Sequence, residues 1–312
     1  MVQSKFKMDD RMKSLWKRST DLSKEGKRNV YVDNPEFLVY HWSGHSAGFS
    51  PATGEMALAE DQRINLGDHN CRVDNGQAFP YADDMPSKKE GFDYTAENWA
   101  KDYVFFLDHS PAEVYPNETI VGEFHWQLDE ARKFVYPDEV VELGFDLRQK
   151  GAGGTSLAHT CPDLSIGLKK GWTGLLKDVQ ESKAKWEKYG NRDRVSYLSA
   201  QEDIINAIIR YINRHSDRAL ELAKDEKDED QYNRYIKISE NMKQLAAGAP
   251  QTFEQAVQWI QLFQVVERIN GHGNGYGRLD LLLIDFYKKD VEDGILTRDE
   301  ARNIMAELYL KY

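Results

Sequence analysis

The sequence predicts a predominantly helical fold over residues 130–312, with short strands near 119–126 and an irregular first third. Two observations carry this. From about Ser156 onward apolar residues recur at helical spacing behind recognisable N-caps. Before about residue 115 the chain is crowded with Gly, Asn, Asp and aromatic residues, as in HWSGHSAGFSPATGEM, and turn chemistry dominates. Of 312 residues, 40% are hydrophobic and 12% aromatic, enough to bury a substantial core.

Taken in order, the chain opens on the basic amphipathic stretch MVQSKFKMDDRMKSLWKR, which lacks the apolar run of a signal peptide. Extended pieces fit Phe37 to His41 and Thr119 to Trp126, and Trp99, Tyr103 and Phe106 predict a helix over Tyr94 to Leu107. Ser199 with Glu202 forms a capping box ahead of Ile204, Ile208, Ile212, Ala219 and Leu222, which share one helical face. The charge run KDEKDED at 224–230 reads as a solvated linker. Tyr232, Tyr235, Ile238, Met242 and Leu245 form the next stripe, closed by Gly248 and Pro250. Thr252 with Gln255 caps a helix carrying Phe253, Ala256, Trp259, Ile260 and Phe263, and Thr297 with Glu300 caps the last one. That helix continues past Asn303 to Tyr312 without Gly, Asn or Pro, so the sequence reads as cut in mid-element.

Charge and cysteine content narrow the function. A net charge of -11 without a Lys/Arg cluster repels phosphate backbones, which argues against nucleic acid as a partner. Apolar stretches such as Leu279 to Tyr287 are short and broken by Asp280 and Asp285, so no membrane span is expected and the chain reads as soluble and cytoplasmic. Cys71 and Cys161 stand alone and read as small buried hydrophobes rather than a disulfide or metal framework. No histidine pair has H-E-x-x-H spacing, and Ser43 and Gly44 between His41 and His45 disfavour a helix there, so no metal site is expected.

Three segments carry a resemblance. The first is Pro116-Asn117-Glu118-Thr119-Ile120-Val121-Gly122-Glu123. The second runs from Gly153 through Ala158-His159-Thr160-Cys161-Pro162-Asp163 to Leu168, Gly171 and Gly174. The third runs from Thr252 through Asn270-Gly271-His272-Gly273-Asn274-Gly275-Tyr276-Gly277-Arg278-Leu279-Asp280 to Glu300-Ala301. In this order they resemble the amino-terminal part of the glycyl radical enzymes of the pyruvate formate-lyase type, over roughly residues 115–312. Ala158 stands where the family has Gly before the His, the run at 273–275 is richer in glycine, and residues 40–100 align with no subfamily.

The resemblance implies an α/β fold, the predominantly helical N-terminal half of a ten-stranded α/β barrel. One partial domain would span 1–312, with an irregular region over 1–115 and a half-barrel region over 116–312. It implies a lyase, dehydratase or decarboxylase that cleaves a small polar metabolite through a cysteine thiyl radical. The glycyl radical is installed by an iron–sulfur activating enzyme using S-adenosylmethionine. The family's Gly-Cys loop and Arg-Val-x-Gly-Tyr loop are both missing from the sequence. This chain is therefore expected to bind no cofactor and to have no catalytic residue of its own. Its expected partners are the substrate, the activating enzyme, a companion C-terminal half and further copies of itself.

His159 is the leading candidate for substrate binding, because its position is where relatives anchor substrate and an imidazole can donate to a carboxylate or accept a proton. It could equally be a structural imidazole beside a Gly-rich turn. His272 and Asn274 are the other candidates, set against a purely structural turn. Asp163 reads as an N-cap, and Arg278 with Asp280 as an internal ion pair. His159 and the loop at 271–277 are expected to converge on one concavity. A non-catalytic scaffold that binds a companion chain is the alternative; a hydrolase or metal enzyme lacks its signature.

Overall fold

In the computed structural model, which describes residues 8–24, 84–91, 95–122, 161–269 and 275–311 with residues 128, 139 and 143, helices form where the apolar stripes are strongest. They are α1 (Asp10–Lys24), α2 (Pro86–Glu90), α3 (Ala96–His109), α4 (Leu164–Lys188), α5 (Arg192–Asp225), α6 (Glu229–Ala247), α7 (Phe253–Ile269), α8 (Leu279–Glu292) and α9 (Arg298–Lys311). No strand occurs among the described residues. The expected extended piece at Phe37 to His41 lies outside them. No helix among them is long and apolar enough to cross a membrane.

Local chemistry fixes the helix starts. Thr95 accepts the Asn98 N–H and starts α3, slightly later than the expected Tyr94. α5 begins behind Asn191, which accepts the Arg194 N–H, and not behind Ser199. Gly190, at φ +65°, has already turned the chain there, so the Ser199–Glu202 box falls inside a running helix. Glu202 is used instead between helices, accepting from Lys183 Nζ at 2.8 Å and Gln180 Nε2 at 2.9 Å of α4. The charge run is a linker for only three residues, since Asp225 ends α5 and Asp228 already caps α6 by accepting the Gln231 N–H. Thr297 and Glu300 form a reciprocal capping box on α9.

Short turns make α4, α5 and α6 antiparallel neighbours, tied by Lys183–Glu202 and by the buried Ser216–Ser239 hydroxyl contact at 2.8 Å. α3 lies on α5. Arg210 forks onto Asp108, and Arg214 donates to the terminal carbonyls of Leu107 and Ser110. α7 is the central helix and is buried on nearly every side. Its Trp259 packs with Trp172 and Phe263 at centroid distances of 5.3 and 5.5 Å. A Cβ on Gly167 would lie 2.0 Å from the Trp259 ring, so this glycine lets α4 seat on α7. Gly171 breaks α4 at φ +62°, and a Cβ there would meet Gly248 O at 2.4 Å.

The strand expected near 119–126 does not form over 119–122, and residues 123–126 lie outside the described ones. Residues 115–122 form a strap whose backbone is satisfied by side chains. Glu307 Oε1 accepts the N–H groups of Thr119 at 2.7 Å and Ile120 at 2.9 Å, and its Oε2 accepts the Thr119 hydroxyl at 2.6 Å. Gln258 takes both groups of Val121, accepting its N–H and donating to its carbonyl, each at 2.8 Å. Gln261 donates to Gly122 O at 2.8 Å. Buried backbone groups must be paired. Here α7 and α9 supply the pairing that a neighbouring strand supplies elsewhere.

Buried charge holds the rest of the strap. Glu118 pairs with Lys311 at 2.8 Å, both inside the protein. Arg11 of α1 reaches Glu307 at 2.5 Å and Asn117 O at 2.8 Å. Arg18 stacks over the Tyr115 ring at 3.8 Å. Burying such ions is tolerable only because each has a partner.

Candidate functional site

The described ends of the three motifs meet on α7. The strap delivers Gly122 at φ +101° against this helix, where an added Cβ would lie 3.5 Å from Val265. On the same helix, Gln261 Oε1 faces the Tyr276 hydroxyl of the third motif at 3.5 Å, at the long edge of hydrogen bonding. Tyr276 is buried and lies beside α7. Gln261 therefore touches both the first and the third motif.

The second motif closes the junction. Cys161 sits over the glycine loop: a Cβ on Gly275 would lie 3.4 Å from its Sγ, and one on Gly277 would lie 4.0 Å from its Cβ. Gly277, at φ +67°, needs the left-handed conformation that glycine adopts freely. Cys161 was expected to be buried, yet it is an exposed free thiol. It occupies the approach to α4, just before Pro162, with glycine backbone on one side.

Asp163 caps α4, accepting from the Ser165 hydroxyl at 2.6 Å and the Ser165 N–H at 3.1 Å. Those bonds hold its carboxyl below the usual range, the hydroxyl contributing most. Arg278 and Asp280 do form a two-bond fork, at 2.8 and 2.6 Å, but the pair is exposed, not internal. Both belong to the entry of α8, where the side chains point to solvent. The hydrogen bonds to Arg278 lower the Asp280 carboxyl.

His159, His272 and Asn274, the three substrate-binding candidates, lie outside the described residues, as does Cys71. Their described neighbours, Cys161 and Gly275, lie side by side, a Cβ on Gly275 falling 3.4 Å from the Cys161 Sγ. Among the described residues, no group of three or more His, Cys, Asp or Glu side chains could hold a metal ion. The carboxamides and backbone groups of the described junction are hydrogen-bonded to each other, an arrangement that positions the strap and the loop.

Sequence reasoning missed Gln258, Gln261 and Glu307. A signal existed for the glutamines, which interrupt the apolar run VQWIQLFQVV at a spacing of three. Polar residues on a helix buried all round need partners, and these two find the strap. Glu307 gave no comparable signal, because nothing local distinguishes it from a solvated glutamate.

Residues 136–312 match the family model described as pyruvate formate lyase-like. The chain is 30% identical to the probable dehydratase YbiW of Escherichia coli strain K12 over 159 residues, which cover 49% of this chain and 20% of that protein. It is 25% identical to an isethionate sulfite-lyase of Desulfovibrio desulfuricans over 299 residues, covering 86% of this chain and 34% of that one. Among solved structures, a glycyl radical enzyme from Archaeoglobus fulgidus superposes with a TM-score of 0.63 at 21% identity, over 74% of this chain and 37% of that chain. The match thus spans about a fifth to a third of the relatives' length.

Proposed function

This chain belongs to the pyruvate formate lyase-like family of glycyl radical enzymes, and on that premise we propose that it is the N-terminal, substrate-facing portion of a dehydratase, lyase or decarboxylase acting on a small polar metabolite. The observation that supports this is the closeness of Cys161 to Gly275 and Gly277, since it brings the described ends of the His159 motif and the glycine loop side by side. In this reading residues 1–115 and 116–312 are two regions of one partial domain, the latter contributing to an α/β barrel in a cytoplasmic homo-oligomer. His159 donates to a substrate carboxylate or hydroxyl, while His272 and Asn274 fix its orientation from the glycine loop. A site for a reactive intermediate needs such fixed polar contacts in a dry cavity.

The radical pair itself does not fit the residues of this chain. Its sequence holds no Gly-Cys dipeptide and no Arg-Val-x-Gly-Tyr, and Cys161 is exposed at a helix entry. No radical step is assigned to it. The companion in the proposal is a polypeptide, in the same or a separate chain, that carries both loops and is activated by an iron–sulfur enzyme using S-adenosylmethionine. A purely scaffolding subunit is the second reading, favoured by the apolar side chains Leu281, Ile295 and Tyr309, each more than half exposed.

The test combines the chain anaerobically with the product of the adjacent reading frame, the activating enzyme and S-adenosylmethionine. Glycyl radical is read by electron paramagnetic resonance, and turnover on candidate diols, sulfonates and hydroxyproline is assayed. Radical and turnover are expected only from the mixture. His159→Ala is expected to lower turnover at least about tenfold while leaving radical yield unchanged. Turnover that survives both His159→Ala and His272→Ala would leave only the scaffold reading.

A further inference from the structure

A polar cavity of about 790 Å³ opens between α1, the strap, α6 and α9. Two carboxamides in its wall are incompletely bonded although the protein encloses them. Gln231 of α6 is 6% exposed and its Nε2 has no acceptor; Asn303 of α9 is 8% exposed and its Oδ1 has no donor. A buried polar group left unpaired carries the full cost of its lost hydration. A wall that holds one orphan donor and one orphan acceptor is completed by a ligand that supplies the opposite pair.

Each orphan stands beside a charge suited to the same end of a ligand. Gln231 Oε1 accepts the Arg234 Nε–H at 3.1 Å, which sets the guanidinium next to the unfilled donor. The other cations of the wall are committed, Arg11 to Glu307 at 2.5 Å and Lys237 to Glu254 at 2.7 Å, whereas no carboxylate among the described residues pairs with Arg234. At the other end Asn303 Nδ2 donates to Asp9 Oδ2 at 2.8 Å, which sets a carboxylate next to the unfilled acceptor. Asn117 of the strap links the two ends, its N–H donating to Gln231 Oε1 and its carbonyl accepting from Arg11. Acidic side chains outnumber basic ones in the wall, so a plain anion is repelled, while Arg234 repels a plain cation from the Gln231 end.

We propose that this cavity binds a small zwitterion, an ω-amino acid whose carboxylate lies on Arg234 and Gln231 Nε2 and whose ammonium lies on Asp9 and Asn303 Oδ1. With Asn117 linking the two ends, the charges held there are further apart than those of an α-amino acid. The inference stands on this wall alone and is independent of the radical chemistry above.

Four probes separate the interactions: 5-aminopentanoate carries both charges at its ends, pentanoate lacks the ammonium, pentylamine lacks the carboxylate, and glycine holds both charges close together. Titration calorimetry on the purified full chain is expected to show 5-aminopentanoate binding at least about tenfold more tightly than pentanoate or pentylamine and about threefold or more above glycine. Arg234→Met should bring 5-aminopentanoate down to the level of pentylamine without weakening pentylamine. Asp9→Asn keeps an oxygen for the α1 cap but removes the charge, and should weaken 5-aminopentanoate and pentylamine while leaving pentanoate no weaker. No binding of 5-aminopentanoate at millimolar concentration, pentanoate, pentylamine or glycine binding as tightly as it does, or an affinity indifferent to both substitutions would overturn the proposal. Circular dichroism identifies any variant that fails to fold, in which case the wild-type series decides.

Discussion

Replacing Gln258 tests whether side chains hold the strap in place of a strand. One carboxamide makes both bonds to Val121, and Gln258 and Val121 are 1% and 0% exposed. Gln258→Leu keeps the volume but leaves one N–H and one carbonyl in the core without partners. At about 1–3 kcal/mol for each orphaned group, the expected loss is about 2–6 kcal/mol. Urea unfolding followed by tryptophan fluorescence measures this as a shift in midpoint at unchanged slope.

Gln258→Glu gives the argument a sign. An acceptor for the Val121 N–H is kept, but the second oxygen now faces the Val121 carbonyl, and a carboxylate is buried. Both effects raise the native pKa of the introduced carboxyl above its unfolded value of about 4.3. Its contribution is therefore fully present below the unfolded pKa, where its O–H can donate to Val121 O, and is lost as pH rises through the native pKa. The deficit relative to wild type should shrink from pH 8 to pH 4.5 in the glutamate variant and stay flat in the leucine variant. Deficits below about 0.5 kcal/mol in both, or a glutamate deficit that ignores pH, would show that Val121 finds other partners.

Three further outcomes follow from the packing. Gly171→Ala should cost more than about 3 kcal/mol in thermal or urea unfolding, because positive φ and contact with the Gly248 carbonyl combine; Gly190→Ala, with positive φ but open space, should cost about 1–2. Glu202 is held below the usual carboxylate range by hydrogen bonds from Lys183 and then Gln180, so its stabilisation is present above that range and lost as pH falls through its depressed pKa. Glu202→Gln should therefore cost up to about 1 kcal/mol at pH 7 and converge with wild type only once pH has fallen through the depressed native pKa, as read from urea midpoints. Sedimentation of the Leu281→Ser, Ile295→Ser double variant should show less self-association than wild type, since both side chains are more than half exposed.

What was legible in the sequence is what local periodicity controls. Tyr235, Ile238, Met242 and Leu245 form a stripe because their spacing matches a helix, and all four are buried. The capping residues Thr252, Thr297 and Asp163 act within three residues of themselves, so nothing distant intervenes. Ser199 misled because a competing cap, Asn191, lay upstream and helix α5 was already running. The strap misled for a deeper reason. Thr119 to Val121 has the composition of a strand, but its partners come from residues 137 to 188 positions away and are side chains, which no local pattern reports.

The positions of the three motifs all refer to α7. Gln258 and Gln261 fix the strap to it, Gln261 faces Tyr276 of the glycine loop, and Trp259 holds α4 through Gly167. A ladder between strands can slip in register, whereas Gln258 and Gln261 each take one strap residue, Val121 and Gly122. Cys161 then lies beside Gly275 because α4 and Tyr276 of the loop are both placed on this helix. Gly167→Ala is the perturbation that should separate these contacts. Its Cβ cannot coexist with the Trp259 ring at 2.0 Å, so α4 must lift and carry Cys161 away from the loop. Reaction of the exposed thiol with a maleimide should then accelerate by about threefold or more, as the glycine backbone ceases to shield one side of it. An unchanged rate in a folded Gly167→Ala protein would mean that the loop follows Cys161 and is not held by α7.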